Sequence, residues 1–332
     1  MSLPRPTLAR RMALALACVA GITASAVHAQ APAGYPSKPI RLVVPFAAGG
    51  STDILARLVG QKLSENMGAS VVIDNRPGAN GTLGCDLVAK APPDGYTVVM
   101  ADIGCFAMAP GLYPKLPYDP VRDFAPITLV ARSPLELTVG ADSPARTVQD
   151  LVALARSKPG KLNYPSSGNG GPNHLAGELF KMQANVNTVH VPYKGSAPSV
   201  VSLVSGETDF GFLTSVTINA QLSAGRLRAL AVASDQRMAA LPSVPTMAEA
   251  GVPGFEAESW FMAAFPAGTP KPIVDKLNAE ILKVLPVAET KEKLAGMGAV
   301  AVGNSPDAAT DFLKSEITKW TRVIKTADIK LD

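Results

Sequence analysis

One pattern constrains the fold more than any other: a β-branched run, a glycine loop, then an amphipathic run that opens on capping residues. I-R-L-V-V at 40–44 leads into P-F-A-A-G-G-S-T-D at 45–53, and I-L-A-R-L-V-G-Q-K-L follows. The spacing predicts a strand at 40–44 and a helix over 53–67, with Ile54, Leu55, Leu58, Val59 and Leu63 on one side. V-V-I-D at 71–74 reads as a second strand. N-R-P-G-A-N-G turns the chain into a helix over 82–91, and Y-T-V-V-M at 96–100 is a third strand. Runs this apolar suit a parallel sheet covered on both faces, and the alternation predicts a doubly wound α/β domain. A strand that ends in glycines before a helix presents free backbone N–H groups, a ready site for an anion.

The pattern recurs in the second half. K-L-N-Y is followed by P-S-S-G-N-G-G-P-N and the helical run H-L-A-G-E-L-F-K-M. T-V-H-V is followed by P-Y-K-G-S-A-P and S-V-V-S-L-V, and E-T-D-F-G-F-L and R-A-L-A-V-A complete this sheet. Between the halves lie Y-P-K-L-P-Y-D-P and two β-like runs, I-T-L-V-A and L-E-L-T-V, taken together as a crossing. A Pro- and Gly-rich connector, L-P-S-V-P-T-M-A-E-A-G-V-P-G-F, leads back through S-W-F-M-A-A-F. Two helices close the chain, the second with Ser305 as cap and Pro306 at its first position. The expected organisation is residues 30–131 and 256–332 as one discontinuous lobe and 132–255 as the other. Two crossings make a hinge, and the cleft between the lobes is the natural ligand site.

The first residues are set apart. Arg5, Arg10 and Arg11 precede the apolar run from Met12 to Val27, and V-H-A-Q follows. This is the pattern of a secretory signal cleaved after Ala29, which places the chain in the periplasm; a twin-arginine route is the alternative to the general one. A membrane anchor fits less well, because the run is short and lacks a far flanking charge. The segment carries three Arg and no acid, so the whole-chain charge of +4 overstates the basicity of the exported protein. No basic block and 5% aromatic residues argue against a nucleic-acid partner. Cys85 and Cys105 remain after cleavage. Export permits a disulfide between them, and two small buried residues is the other reading.

Catalytic chemistry is thinly supplied. The chain after Ala29 has His174 and His190, with no H-E-x-x-H, C-x-x-C, G-x-S-x-G or phosphate-loop signature. His174 opens a helix beside a glycine loop, where it can touch a ligand, whereas His190 on a strand reads as a satisfied core residue. Lys194 is either a carboxylate partner or a solvated loop charge. Asp53 is either a cap for backbone N–H groups or a receiver of a ligand amine or hydroxyl. The methionines read as core filling. No cofactor and no metal are expected.

These stretches, with N-R-P-G-A-N-G-T-L-G, A-P-P-D-G-Y-T, L-Y-P-K-L-P-Y-D-P-V-R-D-F-A-P-I and F-P-A-G-T-P, span nearly the whole chain. On them the protein resembles the substrate-binding receptors of tripartite tricarboxylate transporters, the Bug receptors. The resemblance implies a two-lobed, Venus-flytrap fold of the type II periplasmic-binding-protein class. Each lobe would be a doubly wound sheet. A ligand carboxylate would be gripped between the two glycine loops, largely by backbone N–H groups. Carried over by position, the first-lobe contacts are Phe46, Ala48, Gly49, Gly50, Ser51, Thr52 and Asp53, with Asn80 nearby. The second-lobe contacts are Ser166, Ser167, Gly168, Asn169 and His174, then Lys194, Gly195 and Asp209. The family's variable loop falls at A-D-I-G-C-F-A-M, where Cys105 and Phe106 would suit an apolar or aromatic tail. The partners implied are a small carboxylate and membrane transporter subunits, with the receptor acting as a monomer. Two other readings stand beside it: a ligand-reporting partner of a membrane sensor, which uses the same cleft, and a periplasmic hydrolase.

Overall fold

The computed structural model describes residues 34–326 and 329; the signal segment expected at 1–29 lies outside the described residues. Three strands, β1 (Ile40–Val44), β2 (Val71–Asn75) and β3 (Thr97–Asp102), pair in parallel with β1 at the centre. They are linked by helices α1 (Ser51–Met67) and α2 (Thr82–Ala89), as the alternating pattern predicts. Beyond β3 the sheet changes sense. Strand β9 (Glu258–Pro266) pairs antiparallel with β3, and β4 (Phe124–Gly140) pairs antiparallel with β9. The edge strand β10 (Val300–Ala301) is antiparallel to β4. The expected all-parallel sheet is therefore mixed, because β9 enters it from the opposite end, returning from the other lobe.

Helices cover both faces of this sheet. Leu55 and Val59 of α1 meet Leu277 and Ile281 of α8 (Lys271–Val284) in one apolar cluster. On the other face, Val88 and Phe106 pack with Leu313 and Trp320 of α10 (Pro306–Thr326). Ser305 Oγ accepts from the Ala308 N–H, the cap expected before Pro306. Between β3 and β4 lies α3, a five-residue π-helical turn (Gly104–Met108) running into Ala109–Leu112. Asp102 caps it, accepting from the Gly104 N–H at 2.9 Å. Cys85 and Cys105 are free thiols, fully buried, with Sγ atoms 2.9 Å apart.

The long strand β4 joins the two lobes. Its first part, through Pro134, pairs with β9; from Leu135 on it pairs with β7 (Phe210–Thr214) and β8 (Leu227–Val232). The two β-like runs of the sequence are thus one strand. Pro134 does not break it, because the missing N–H falls where one set of partners gives way to the next. The returning segment crosses beside it, with the Leu135 N–H on Ala257 O and the Ala257 N–H on Ala233 O. In the second lobe, β5 (Asn163–Ser166) and β6 (Val189–Pro192) form a separate parallel pair. Pro165 separates them from β7: it has no N–H to donate, and its ring lies against Gly211. Helices α4 (Val148–Ser157), α5 (Pro172–Ala184), α6 (Ser196–Val204) and α7 (Ser215–Ser223) pack around these strands, and α9 (Ala288–Gly296) precedes β10. No helix among the described residues is long and apolar enough to cross a membrane.

Candidate functional site

A cavity of about 870 Å³ opens where loops of both lobes meet. Ala47, four residues before α1, lines it, as do Asn169, three before α5, and Gly195, immediately before α6. Loops that lead into three helices therefore surround one space, and at α6 the residue just before the helix itself lines it, beside first-turn N–H groups that have no partner within the helix. The loops come close because glycines stand at the contact. A Cβ on Gly195 would lie 3.3 Å from the Ala47 Cβ, and one on Gly49 would lie 3.8 Å from the Ala197 Cβ. Gly195 has φ of +119° and Gly49 of +80°, so a side chain at either is strained as well as crowded.

Asn80 is the least satisfied group at the site. It adopts a left-handed conformation, is 8% exposed, and neither its Nδ2 nor its Oδ1 has a hydrogen-bond partner. Its amide lies between the lobes. A Cβ on Gly171 would sit 3.0 Å from its Oδ1, and one on Gly104 would sit 3.0 Å from its Nδ2. An orphaned buried amide costs roughly 1–3 kcal/mol, which a bound ligand would recover.

Of the residues expected at the site, Phe46, Asn80, Ser167, Gly168, Asn169, Lys194 and Gly195 line the cavity. The rest of the first loop is turned to other work. Asp53 accepts from the Gly49 N–H at 2.8 Å, Arg57 Nε at 2.9 Å and Asn75 Nδ2 at 3.0 Å. Burial pushes its carboxyl up, but Arg57, the Gly49 N–H and Asn75 outweigh it and hold it below the usual carboxylate range. Ser51 and Thr52 are buried beside it, the Gly50 N–H is on Ala47 O, and Ala48 and Gly49 are exposed.

Behind the second loop is a paired-histidine support. Ser166 Oγ accepts from the Gly168 N–H and lies 2.6 Å from His190 Nε2. His174 Nδ1 accepts from the Gly170 N–H at 3.0 Å, and the two imidazoles stack with centroids 3.8 Å apart. Burial, then His174 and Lys181, bring the His190 pKa down to about 3, so it is neutral at physiological pH. Asp209 stands elsewhere: it accepts from the Asn163 N–H and lines a separate hollow of about 450 Å³ with Asp142 and Arg226. Cys105 and Phe106 are in the core rather than against the cavity. The wall they were expected to form is supplied by Tyr113, with Pro45, Pro77 and Tyr193. Tyr113 opens the Pro-rich stretch, whose lack of periodicity hid it from a pattern reading.

Comparison with known proteins identifies the family to which this fold belongs. The family described as "Tripartite tricarboxylate transporter family receptor" matches residues 55–329. A Pseudomonas sp. (strain P51) protein, "UPF0065 protein in tcbD-tcbE intergenic region", is 44% identical over 319 residues, covering 96% of this chain and 94% of that one. A solved structure of Rpa4515 from R. palustris with adipate is 41% identical, with a TM-score of 0.87, covering 89% of this chain and 99% of that one. The periplasmic binding protein BugD is 34% identical, with a TM-score of 0.86, over 89% of this chain and 99% of its own. The two-lobed architecture is the periplasmic-binding-protein fold. By the span of the family match and the identity to full-length relatives, the chain belongs to the tripartite tricarboxylate transporter receptor family.

Proposed function

We propose that the protein is an exported receptor which captures a small carboxylate between its lobes and hands it to a tripartite tricarboxylate-type membrane transporter. Residues 30–131 and 256–332 form one jaw and 132–255 the other, with cleavage after Ala29 releasing a monomer into the periplasm. The observation that carries this reading is Asn80: a buried amide with no partner, at a cavity walled by the loops that lead into three helices. Helix N-termini and amide donors hold a carboxylate without matching every charge by a side chain. Lys194, the exposed cation on the rim, adds attraction for an anion. The adipate held by a relative at 41% identity supports a carboxylate as the class of ligand. Because Asn80 meets both lobes, a ligand satisfying it favours the closed state over the open one.

Thermal unfolding against a panel of carboxylic acids and their primary amides tests this. An acid at 100 times its dissociation constant adds about 2.7 kcal/mol to stability, and the matching amide adds none. Asn80→Asp, which keeps size and left-handed backbone but adds a negative charge, should abolish the shift. A flat response to every acid by protein freed of carried-over ligand overturns the reading. Uptake of the identified acid that survives deletion of the transporter subunits overturns the delivery step alone.

A further inference from the structure

We infer that Cys85 and Cys105 are joined by a disulfide in the exported protein, and that this bond braces the backbone on both sides of Asn80; the inference rests on the export reading above. The structure holds the reduced pair. The two Sγ atoms stand 2.9 Å apart, with Cys85 donating to Cys105, and bonded sulfurs lie about 2.05 Å apart. Less than an ångström of approach therefore separates the two thiols from the bond. No other partner competes for them. The chain's third cysteine, Cys18, falls in the segment expected to be removed. Among the described residues no group of three or more His, Cys, Asp or Glu is placed to hold a metal.

The pair sits where a crosslink acts on the site. Cys85 is in the first turn of α2, which starts just after Asn80 and Gly81, and Cys105 is in the π-helical turn. Gly104, beside Cys105, stands against the Asn80 amide: its Cβ would lie 3.0 Å from Nδ2. Gly81, beside Asn80, stands against Cys105: its Cβ would lie 3.4 Å from the cysteine's own. A bond between the cysteines thus ties together the two segments that flank the left-handed corner at Asn80 and Gly81. Fixing that corner in advance removes an ordering cost from ligand binding. Both side chains are fully buried, and burial, then Cys85 itself, pushes the Cys105 thiol well up. The folded chain therefore holds little thiolate, and the bond forms while the exported chain is still folding. The oxidant is a disulfide-bearing molecule of that compartment. One cysteine thiolate attacks its disulfide and expels one oxidant thiol; the other cysteine attacks the mixed disulfide and expels the second. The protein gives up two electrons and two protons, and the oxidant leaves as a dithiol.

Mass spectrometry of the full chain, produced with its own signal in a Gram-negative host and alkylated with iodoacetamide in denaturant, tests the bond. Processed protein should take up no label and weigh two hydrogens less than the dithiol; after reduction it should take up two labels. Two labels on processed protein without reductant overturn the inference and leave the export reading standing. A chain recovered only unprocessed from the cytoplasm overturns both. Hydrogen exchange tests the brace. Protein refolded with reductant should exchange at least tenfold faster at 80–85 and 104–108 than the oxidised protein, with 166–171 unmoved, and should melt about 5 °C lower. The double variant Cys85→Ala, Cys105→Ala should melt alike with and without reductant. Equal exchange in the two redox forms, or a double variant that still responds to reductant, overturns the brace.

Discussion

The two glycine loops look alike in sequence and do different work. P-F-A-A-G-G-S-T-D and P-S-S-G-N-G-G-P-N each join a strand to a helix. In the first, the charged residue faces inward: Asp53 ties Gly49, Arg57 and Asn75 together, and of its last six residues none lines the cavity. In the second, Ser167, Gly168 and Asn169 face the cavity, and the support stands behind them as Ser166 and the stacked histidines. One loop is held from within its own turn, the other from the layer beneath it. Residue types alike in kind therefore serve as internal brace in one lobe and as cavity wall in the other.

The largest expected effect comes from removing the internal brace. Asp53→Ala leaves the Gly49 N–H, Asn75 Nδ2 and Arg57 without their acceptor, and should cost about 3 kcal/mol of stability. The loss is set at the low end of the range for fully buried pairs because Arg57 is half in solvent. Asn169→Ala should leave the melting temperature in place and reduce ligand affinity instead. Denaturant titration and calorimetry on both variants give the answer; a binding loss in Asp53→Ala at temperatures where it is fully folded would break the contrast.

Much of this architecture was legible in the chain. Strand β1 has the bounds its β-branched run predicts, and Pro306 starts the last helix where its cap demands. What stayed hidden was orientation. An aspartate at a helix start serves equally well as a cap or a ligand contact on sequence grounds, and only three partners within 3.0 Å distinguish the two for Asp53. The sequence offered I-T-L-V-A and L-E-L-T-V as two β-like runs, whereas the long-range pairing that carries β4 from one toward the other is set by residues more than a hundred positions away. Cys105 and Phe106 were expected near the ligand from their place in a variable loop. The π-helical turn at Gly104–Met108 buries both, and nothing in local periodicity announces such a turn.

The two supports also answer to acid in different pH windows. His190 has a folded pKa near 3, below the ordinary histidine value, so the unfolded chain takes up its proton first. Its contribution is complete above about pH 6.5 and is lost as pH falls toward 3. Asp53, held below its ordinary value, keeps its contribution down to about pH 4 and loses it only below that. Between pH 7.5 and 5 the wild-type protein should therefore lose about 1–2 kcal/mol through His190, after discounting for its partial exposure. His190→Gln, which can still hydrogen-bond Ser166 but does not titrate, should flatten that part of the stability curve. An unchanged slope would mean that the imidazole titrates alike in the folded and unfolded chain.

The smallest effect separates the loops most cleanly, because it uses one methyl group in each. Gly171 and Gly50 both have negative φ, near −77°, so alanine is compatible with either backbone. At Gly171 the new Cβ would stand 3.0 Å from Asn80 Oδ1, a group of the opposite lobe, and 3.0 Å from Ser167 Oγ. At Gly50 the tightest neighbour is Ala47 O at 3.4 Å, within its own loop, and the nearest atom across the cleft is 3.9 Å away. Gly50→Ala should leave the ligand-free protein as stable as the parent, since replacing glycine also restricts the unfolded chain; at Gly171 that gain is offset, because Asn80 Oδ1 and Ser167 Oγ must shift to admit the methyl group. Closure is another matter. Gly171→Ala pushes on the amide that meets both lobes and should weaken ligand binding by about fivefold, close to 1 kcal/mol, whereas Gly50→Ala should change it less than twofold. Equal losses at the two positions would show that the first loop presses on the ligand as directly as the second, and the division of labour between brace and wall would not stand.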